Sequence, residues 1–179
     1  FAGRNAPEPE FAAKPQTPAP PFEYLVEEIF VDAPDGAARL AGELTIPKGA
    51  GPHAAVLLLS VAGPTDRDQS YAGHKGFLVL ADRLTRAGFA VARFDDRGAG
   101  ASTGDYFSAS WETLADDARA VVSRLAEDPR IDPHRIGFAG MSQGGAVAGL
   151  ASDVGAFVIL MSAPGLSGEE ALRLQLEEA

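Results

Sequence analysis

The run Gly140-Met141-Ser142-Gln143-Gly144 constrains this chain more than any other five residues. It is entered from the largely apolar Arg135–Ala139 and left through Gly145-Ala146-Val147-Ala148, so it reads as a strand, one sharp turn carrying a serine, and a helix. A serine at such a corner is forced into a strained backbone conformation, which crowds the positions two before and two after it. Both must be small, and Gly140 and Gly144 meet that demand. The hydroxyl then stands at the carboxyl end of a strand, over the first turn of a helix whose unpaired N–H groups favour developing negative charge. Acyl transfer is the chemistry this suits. The plainer alternative is a glycine-rich turn with a buried or capping serine, and the strand before and helix after the serine argue against it.

The rest of the chain supplies the sheet that such a turn needs. Tyr24–Asp32 and Ala38–Ile46 alternate apolar and polar residues around Pro34-Asp35-Gly36, which predicts an antiparallel hairpin. Ala54–Val61 is almost continuously apolar, as in a parallel strand buried on both faces. Leu78, Ala81, Leu84 and Ala87 keep helical spacing and stop at Gly88, and Phe89–Phe94 is the next apolar strand. The clearest helical stripe is Trp111, Leu114, Ala115, Ala118, Val121, Val122 and Leu125, with Ser110 as its cap and Pro129 beyond its end. Arg135–Ala139, Ser142–Ala151 and Ala156–Met161 continue the series as strand, helix and strand. This alternation predicts an α/β fold with a mostly parallel, doubly wound sheet and active groups at the carboxyl ends of its strands. Ser142 falls at such an end.

With 179 residues, 46% of them hydrophobic, the chain can bury the core of one domain. Residues 1–21 read as a linker or arm, because Ala6–Pro21 is dominated by proline and alanine, and residues 22–179 read as the domain. Fifteen basic residues against 25 acidic ones give a net charge of −10, which disfavours nucleic acid and acidic membrane surfaces as partners. A small neutral or cationic substrate fits better. The chain has no cysteine, which excludes disulfides, thiolate metal sites and cysteine nucleophiles, and no apolar run reaches membrane-spanning length. Asp66-Arg67-Asp68 and Asp95-Asp96-Arg97 are read as ion pairs bracing loops rather than as a cation site, so no metal is expected. Gly98-Ala99-Gly100 lacks the remaining glycines of a nucleotide-binding loop, and no cofactor is expected.

An acyl-transfer serine needs two N–H donors for the oxyanion. One comes from the residue after the serine, here Gln143; the other comes from the loop after the neighbouring strand, here Ser60-Val61-Ala62-Gly63-Pro64, with Ala62 as the candidate. An ordinary strand-to-helix connection would read the same way, since a backbone role leaves little trace in side chains. His74 and Arg67 lie in the region after that loop. They are candidates to line a pocket, with Arg67 able to hold a substrate carboxylate.

The blocks Gly63-Pro64-Thr65-Asp66-Arg67-Asp68, Gly73-His74-Lys75, Phe94-Asp95-Asp96-Arg97-Gly98-Ala99-Gly100-Ala101-Ser102-Thr103-Gly104 and Gly140-Met141-Ser142-Gln143-Gly144-Gly145 resemble bacterial α/β-hydrolases of the dienelactone hydrolase, prolyl oligopeptidase and serine aminopeptidase type. The resemblance runs from about Tyr24 to the end. It implies the α/β-hydrolase fold and a carboxylesterase or peptidase acting through an acyl-enzyme on Ser142, with the ester favoured. The proline-rich stretch resembles the linker of exported relatives, which implies export. The sequence departs from the family pattern at Val61, where glycine is usual, and at Met141 and Gln143, where histidine and glutamate are often found.

A larger departure concerns the base. In this fold the acid and the histidine follow the serine in chain order, yet His53, His74 and His134 all precede Ser142. The carboxylates after it, Asp153, Glu169, Glu170, Glu177 and Glu178, read as solvated loop and helix residues. Without a base the hydroxyl is a weak nucleophile, and this chain alone should be nearly inert. The expectation is that the last strands, with the acid and the histidine, lie in a segment outside this sequence, in a longer chain or a second polypeptide. Two copies that complete one another are a further option. The rival reading is a non-catalytic ligand-binding domain on a hydrolase scaffold.

Overall fold

The computed structural model describes residues 14–165 together with Glu170, Arg173 and Glu177; the first part of the proline-rich arm and most residues after 165 lie outside the described residues. Burial along one strand fixes the layering. In β3 (His53–Leu59), Ala55 and Leu57 belong to one apolar cluster and Val56 and Leu58 to another, and all four are buried. A strand apolar on both faces must be covered on both sides.

The covers are the expected helices. α1 (Gly76–Arg86) closes one face with Phe77 and Ala81, while α2 (Trp111–Ala126) and α3 (Gln143–Leu150) close the other. The Ser110 hydroxyl caps α2 by accepting from the Thr113 amide at 3.2 Å. The hairpin β1 (Tyr24–Asp32) and β2 (Arg39–Pro47) pairs antiparallel in the register Tyr24↔Pro47 to Asp32↔Arg39.

β6 (Ala90–Phe94), β3, β7 (Ile131–Met141) and β8 (Val158–Met161) run parallel, and the six strands stand in the order β1-β2-β6-β3-β7-β8. Two further strands, β4 (Ser70–Tyr71) and β5 (His74–Lys75), form a small hairpin before α1. β3 lies between β6 and β7, so the loop after β3 and the turn after β7 emerge side by side at the carboxyl end of the sheet.

Two readings shift. Of the expected stripe Leu78, Ala81, Leu84 and Ala87, Ala81 is buried, Leu78 and Leu84 are partly buried and Ala87 is exposed, while Phe77, Asp82 and Thr85 complete the buried face of α1. Polar residues are buried here because they have partners: Tyr24 Oη donates to Asp82 at 2.9 Å, and the Thr45 and Thr85 hydroxyls meet at 2.6 Å. Apolar spacing cannot see such pairs. The strand expected at Arg135–Ala139 starts earlier, at Ile131, but its register against β3 jumps between the pairs His53↔Ile131 and Ala55↔Ile136. The intervening residues of β7 are an irregularity in the pairing, where the His134 amide donates to the Asp132 carboxylate at 3.0 Å.

Phe138 lies in the middle of β7 with 0% exposure. Phe138→Ala should lower the unfolding free energy by about 3–5 kcal/mol in urea denaturation, and a loss below about 1 kcal/mol would contradict this packing.

Candidate active site

The turn after β7 is as tight as the glycines foretold. Ser142 has φ 53° and ψ −119°, a region that side chains rarely adopt. A Cβ on Gly140 would collide with the Gly144 carbonyl group and lie 2.6 Å from the Gly145 amide nitrogen. One on Gly144 would run into the carbonyl oxygens of Leu59 and Ser60, so the first turn of α3 rests directly on the end of β3. The Ser142 amide donates to Met161 O at 2.9 Å and the Gly145 amide to Ser142 O at 2.9 Å, which ties the turn to β8 and starts the helix. Ser142 is half-buried, and its side chain does not cap α3. Its hydroxyl has no hydrogen-bond partner among the described residues.

Beside this turn runs the loop that follows β3. Ala62 is exposed and Gly63 takes φ 99°, a left-handed value that glycine carries without strain. Asp96, at the end of β6, holds the loop. Its carboxylate accepts from Ser60 Oγ at 2.9 and 3.0 Å, from the Thr65 amide at 2.9 Å and from Thr65 Oγ1 at 2.8 Å. Burial pushes the Asp96 pKa up, and the donors of Thr65 and Ser60 pull it back only in part. Asp96 thus works through hydroxyl and amide donors, which corrects the expectation of an ion pair at this residue.

Its neighbours do form ion pairs. Arg67 Nε and Nη2 reach Asp95 at 3.1 and 2.7 Å, while Arg97 grips Asp117 at 2.7 and 2.8 Å and Asp35 at 2.7 Å. Arg93, fully buried, pairs with Asp68 and Glu43. The hydrogen bonds of Arg67 hold the Asp95 carboxyl below the ordinary carboxylate range despite its burial.

A residue that sequence reasoning passed over joins the two halves of the site. Tyr106 opens a short helical turn, Tyr106–Ser108, that is capped by Asp105. Its hydroxyl accepts from the Gly63 amide at 2.9 Å and donates to Gln143 Oε1 at 3.0 Å. Behind it a cavity of about 70 Å³ runs under α2, lined by Leu59, Phe94, Leu114, Val121 and Val147, with Val61, Gln143 and Gly144 also in its wall. No periodicity marks a lone tyrosine in a polar loop. The one sequence hint is the Asp105 cap.

The sequence-derived residues fall into two groups. Ser142, Gln143 and the Ala62 loop meet at the carboxyl ends of β7 and β3. Arg67 is 17% exposed, is clasped by Asp95 and does not line the cavity. His74 lies on the β4–β5 hairpin, where Nδ1 is 3.4 Å from Gln16 Nε2 of the arm. Gln69, just before this hairpin, donates from Nε2 to Sδ of Met141, the residue before the serine, at 3.4 Å. His53 and His134 sit at the amino ends of β3 and β7, far from Ser142 along both strands. Among the described residues, no group of three or more His, Asp or Glu side chains converges as a metal site.

The model of the serine aminopeptidase S33 family matches residues 71–170, a stretch that holds the α1 cover, β6, α2 and the whole serine turn. The chain belongs to the serine aminopeptidase S33 family. Esterase EstD of Thermotoga maritima is 36% identical over 75 residues, which cover 42% of this chain and 18% of that protein. Among solved structures, the hypothetical protein PA2218 of Pseudomonas aeruginosa superposes with a TM-score of 0.68 at 18% identity, over 90% of this chain and 53% of that one. The α/β hydrolase GrgF of Penicillium superposes with a TM-score of 0.67 at 21% identity, over 86% and 52%. These likenesses show that this member of the serine aminopeptidase family has the α/β-hydrolase fold. The chain spans about half the length of the two solved structures.

The strain at Ser142 has a measurable signature. Glycine normally destabilises relative to alanine, but here Ser142→Gly should be more stable than Ser142→Ala by about 1 kcal/mol in thermal or urea unfolding, since both lack the hydroxyl and only glycine accepts φ 53°. The usual order, alanine above glycine, would contradict the strained turn.

Proposed function

We propose that this chain carries the nucleophile and the oxyanion site of a serine hydrolase that cleaves carboxylic esters. The observation that supports this most is the Ser142 hydroxyl, without a hydrogen-bond partner among the described residues, on a left-handed corner over the first turn of α3. In this reading the corner is a nucleophile elbow. Ser142 Oγ attacks the substrate carbonyl carbon, its proton passes to a base, and the carbonyl oxygen becomes an oxyanion. The amides of Gln143 and Ala62 receive that charge; neither donates a hydrogen bond among the described residues. The tetrahedral species then expels the alcohol, which takes up the proton, and water releases the acyl group from Ser142.

The base and its carboxylate partner are proposed to come from a segment outside this sequence, because each histidine here lies before Ser142 and none contacts it. An ester is favoured over a peptide bond on two grounds: an alcohol leaves with less assistance than an amine, and the relative EstD is named an esterase.

Kinetics on the complete protein test this. Short p-nitrophenyl esters should turn over faster than aminoacyl anilides, and Ser142→Ala should reduce ester turnover by roughly 10³-fold or more while the fold survives. A folded Ser142→Ala protein that retains its turnover would overturn the proposal.

A further inference from the structure

Two amides can stabilise an oxyanion only if their spacing is held, and they come from segments some 80 residues apart in sequence, the loop after β3 and the start of α3. The turn at Ser142 fixes the second through its glycines. The first is a loop with an exposed Ala62 and a left-handed Gly63, and backbone rigidity alone does not fix it. One side chain bridges both: the Tyr106 hydroxyl accepts from the Gly63 amide at 2.9 Å and donates to Gln143 Oε1 at 3.0 Å.

We infer that Tyr106 is a positioning residue that clasps the Ala62–Gly63 loop to Gln143 and so sets the distance between the two oxyanion donors. The inference rests on the acyl-transfer reading above.

The chemistry of the clasp is one-directional and complete. Gly63 N–H has nowhere else to donate among the described residues, and accepting it leaves the phenol its own proton for Gln143. Burial raises the Tyr106 pKa, so the hydroxyl keeps that proton across the neutral range. The ring is seated independently of the hydroxyl: it lines the cavity wall and packs edge-on against Phe107 with centroids 5.7 Å apart. Removing the oxygen therefore unpins the two segments without removing the ring.

Asp96 grips the same loop on either side of Ala62, at Ser60 and Thr65, which leaves Ala62 and Gly63 as the span the tyrosine must hold. The Gln143 side chain is the other jaw.

The experiment is a double-mutant cycle on the complete protein with a p-nitrophenyl ester. Tyr106→Phe should lower kcat about 10-fold or more with little change in KM, because a displaced oxyanion donor weakens the transition state and not the bound ester. Gln143→Ala should cost a similar factor, and the double variant no more than either single one. Affinity for a trifluoromethyl ketone, which forms a tetrahedral adduct, should fall in proportion to kcat/KM in each variant. A merely structural tyrosine would instead lower the melting temperature and leave the kcat and the ketone affinity of the folded fraction unchanged. That result, additive losses, or a Tyr106→Phe enzyme equal to wild type would overturn the clasp and leave the acyl-transfer reading intact. Wild-type protein without turnover and without ketone binding would overturn both.

Discussion

The contact on which this site depends is the seating of α3 against the end of β3, where Gly144 leaves no room for a side chain between the helix and the Leu59 and Ser60 carbonyls. Close packing of backbone on backbone brings the amino end of a helix within reach of the neighbouring strand's loop. It also forces the chain to turn within one residue, and that residue, Ser142, bears the strain as a left-handed conformation. The same packing that makes the corner costly thus stands a hydroxyl above the unpaired amides of a helix start. Site and fold share one constraint.

Around that fixed point the loops are held by polar groups rather than by apolar contacts. Asp95, Asp96 and Arg97 follow one another at the end of β6 and face three different partners: Arg67, the Ser60 and Thr65 donors, and Asp117 with Asp35. Asp95 and Asp96 both hold the segment after β3, while Arg97 holds α2 and the turn between β1 and β2. Such buried or half-buried pairs add little net stability, because desolvation offsets most of their attraction, but losing one member leaves an uncompensated charge. Their structural effect is to fix the geometry of the loops at the carboxyl edge of the sheet.

Much of this was legible in the sequence, for reasons that differ by element. The two-faced apolar run at β3, the helical stripe of α2 with its Ser110 cap and the glycines around Ser142 all reflect local rules, and the structure places each of them within a residue or two. The stripe of α1 shifted because Asp82 and Thr85 are buried by partners far away in the chain, Tyr24 and Thr45, which apolar spacing does not encode. Asp96 was expected in an ion pair and instead accepts from hydroxyls and an amide. Tyr106 was missed for the same reason: its partners, Gly63 and Gln143, lie 43 and 37 residues away. A base for Ser142 was not found in the sequence, and among the described residues none touches its hydroxyl.

The most direct measurement is the site of modification by a fluorophosphonate, which bonds only to a serine whose oxygen is both reachable and activated. The complete protein, treated with the reagent, digested and mapped by mass spectrometry, should carry one adduct, on the peptide that contains Ser142, and Ser142→Ala should carry none. An adduct on a different residue, or an active protein that takes up no label, would contradict the assignment of this corner as the reacting centre.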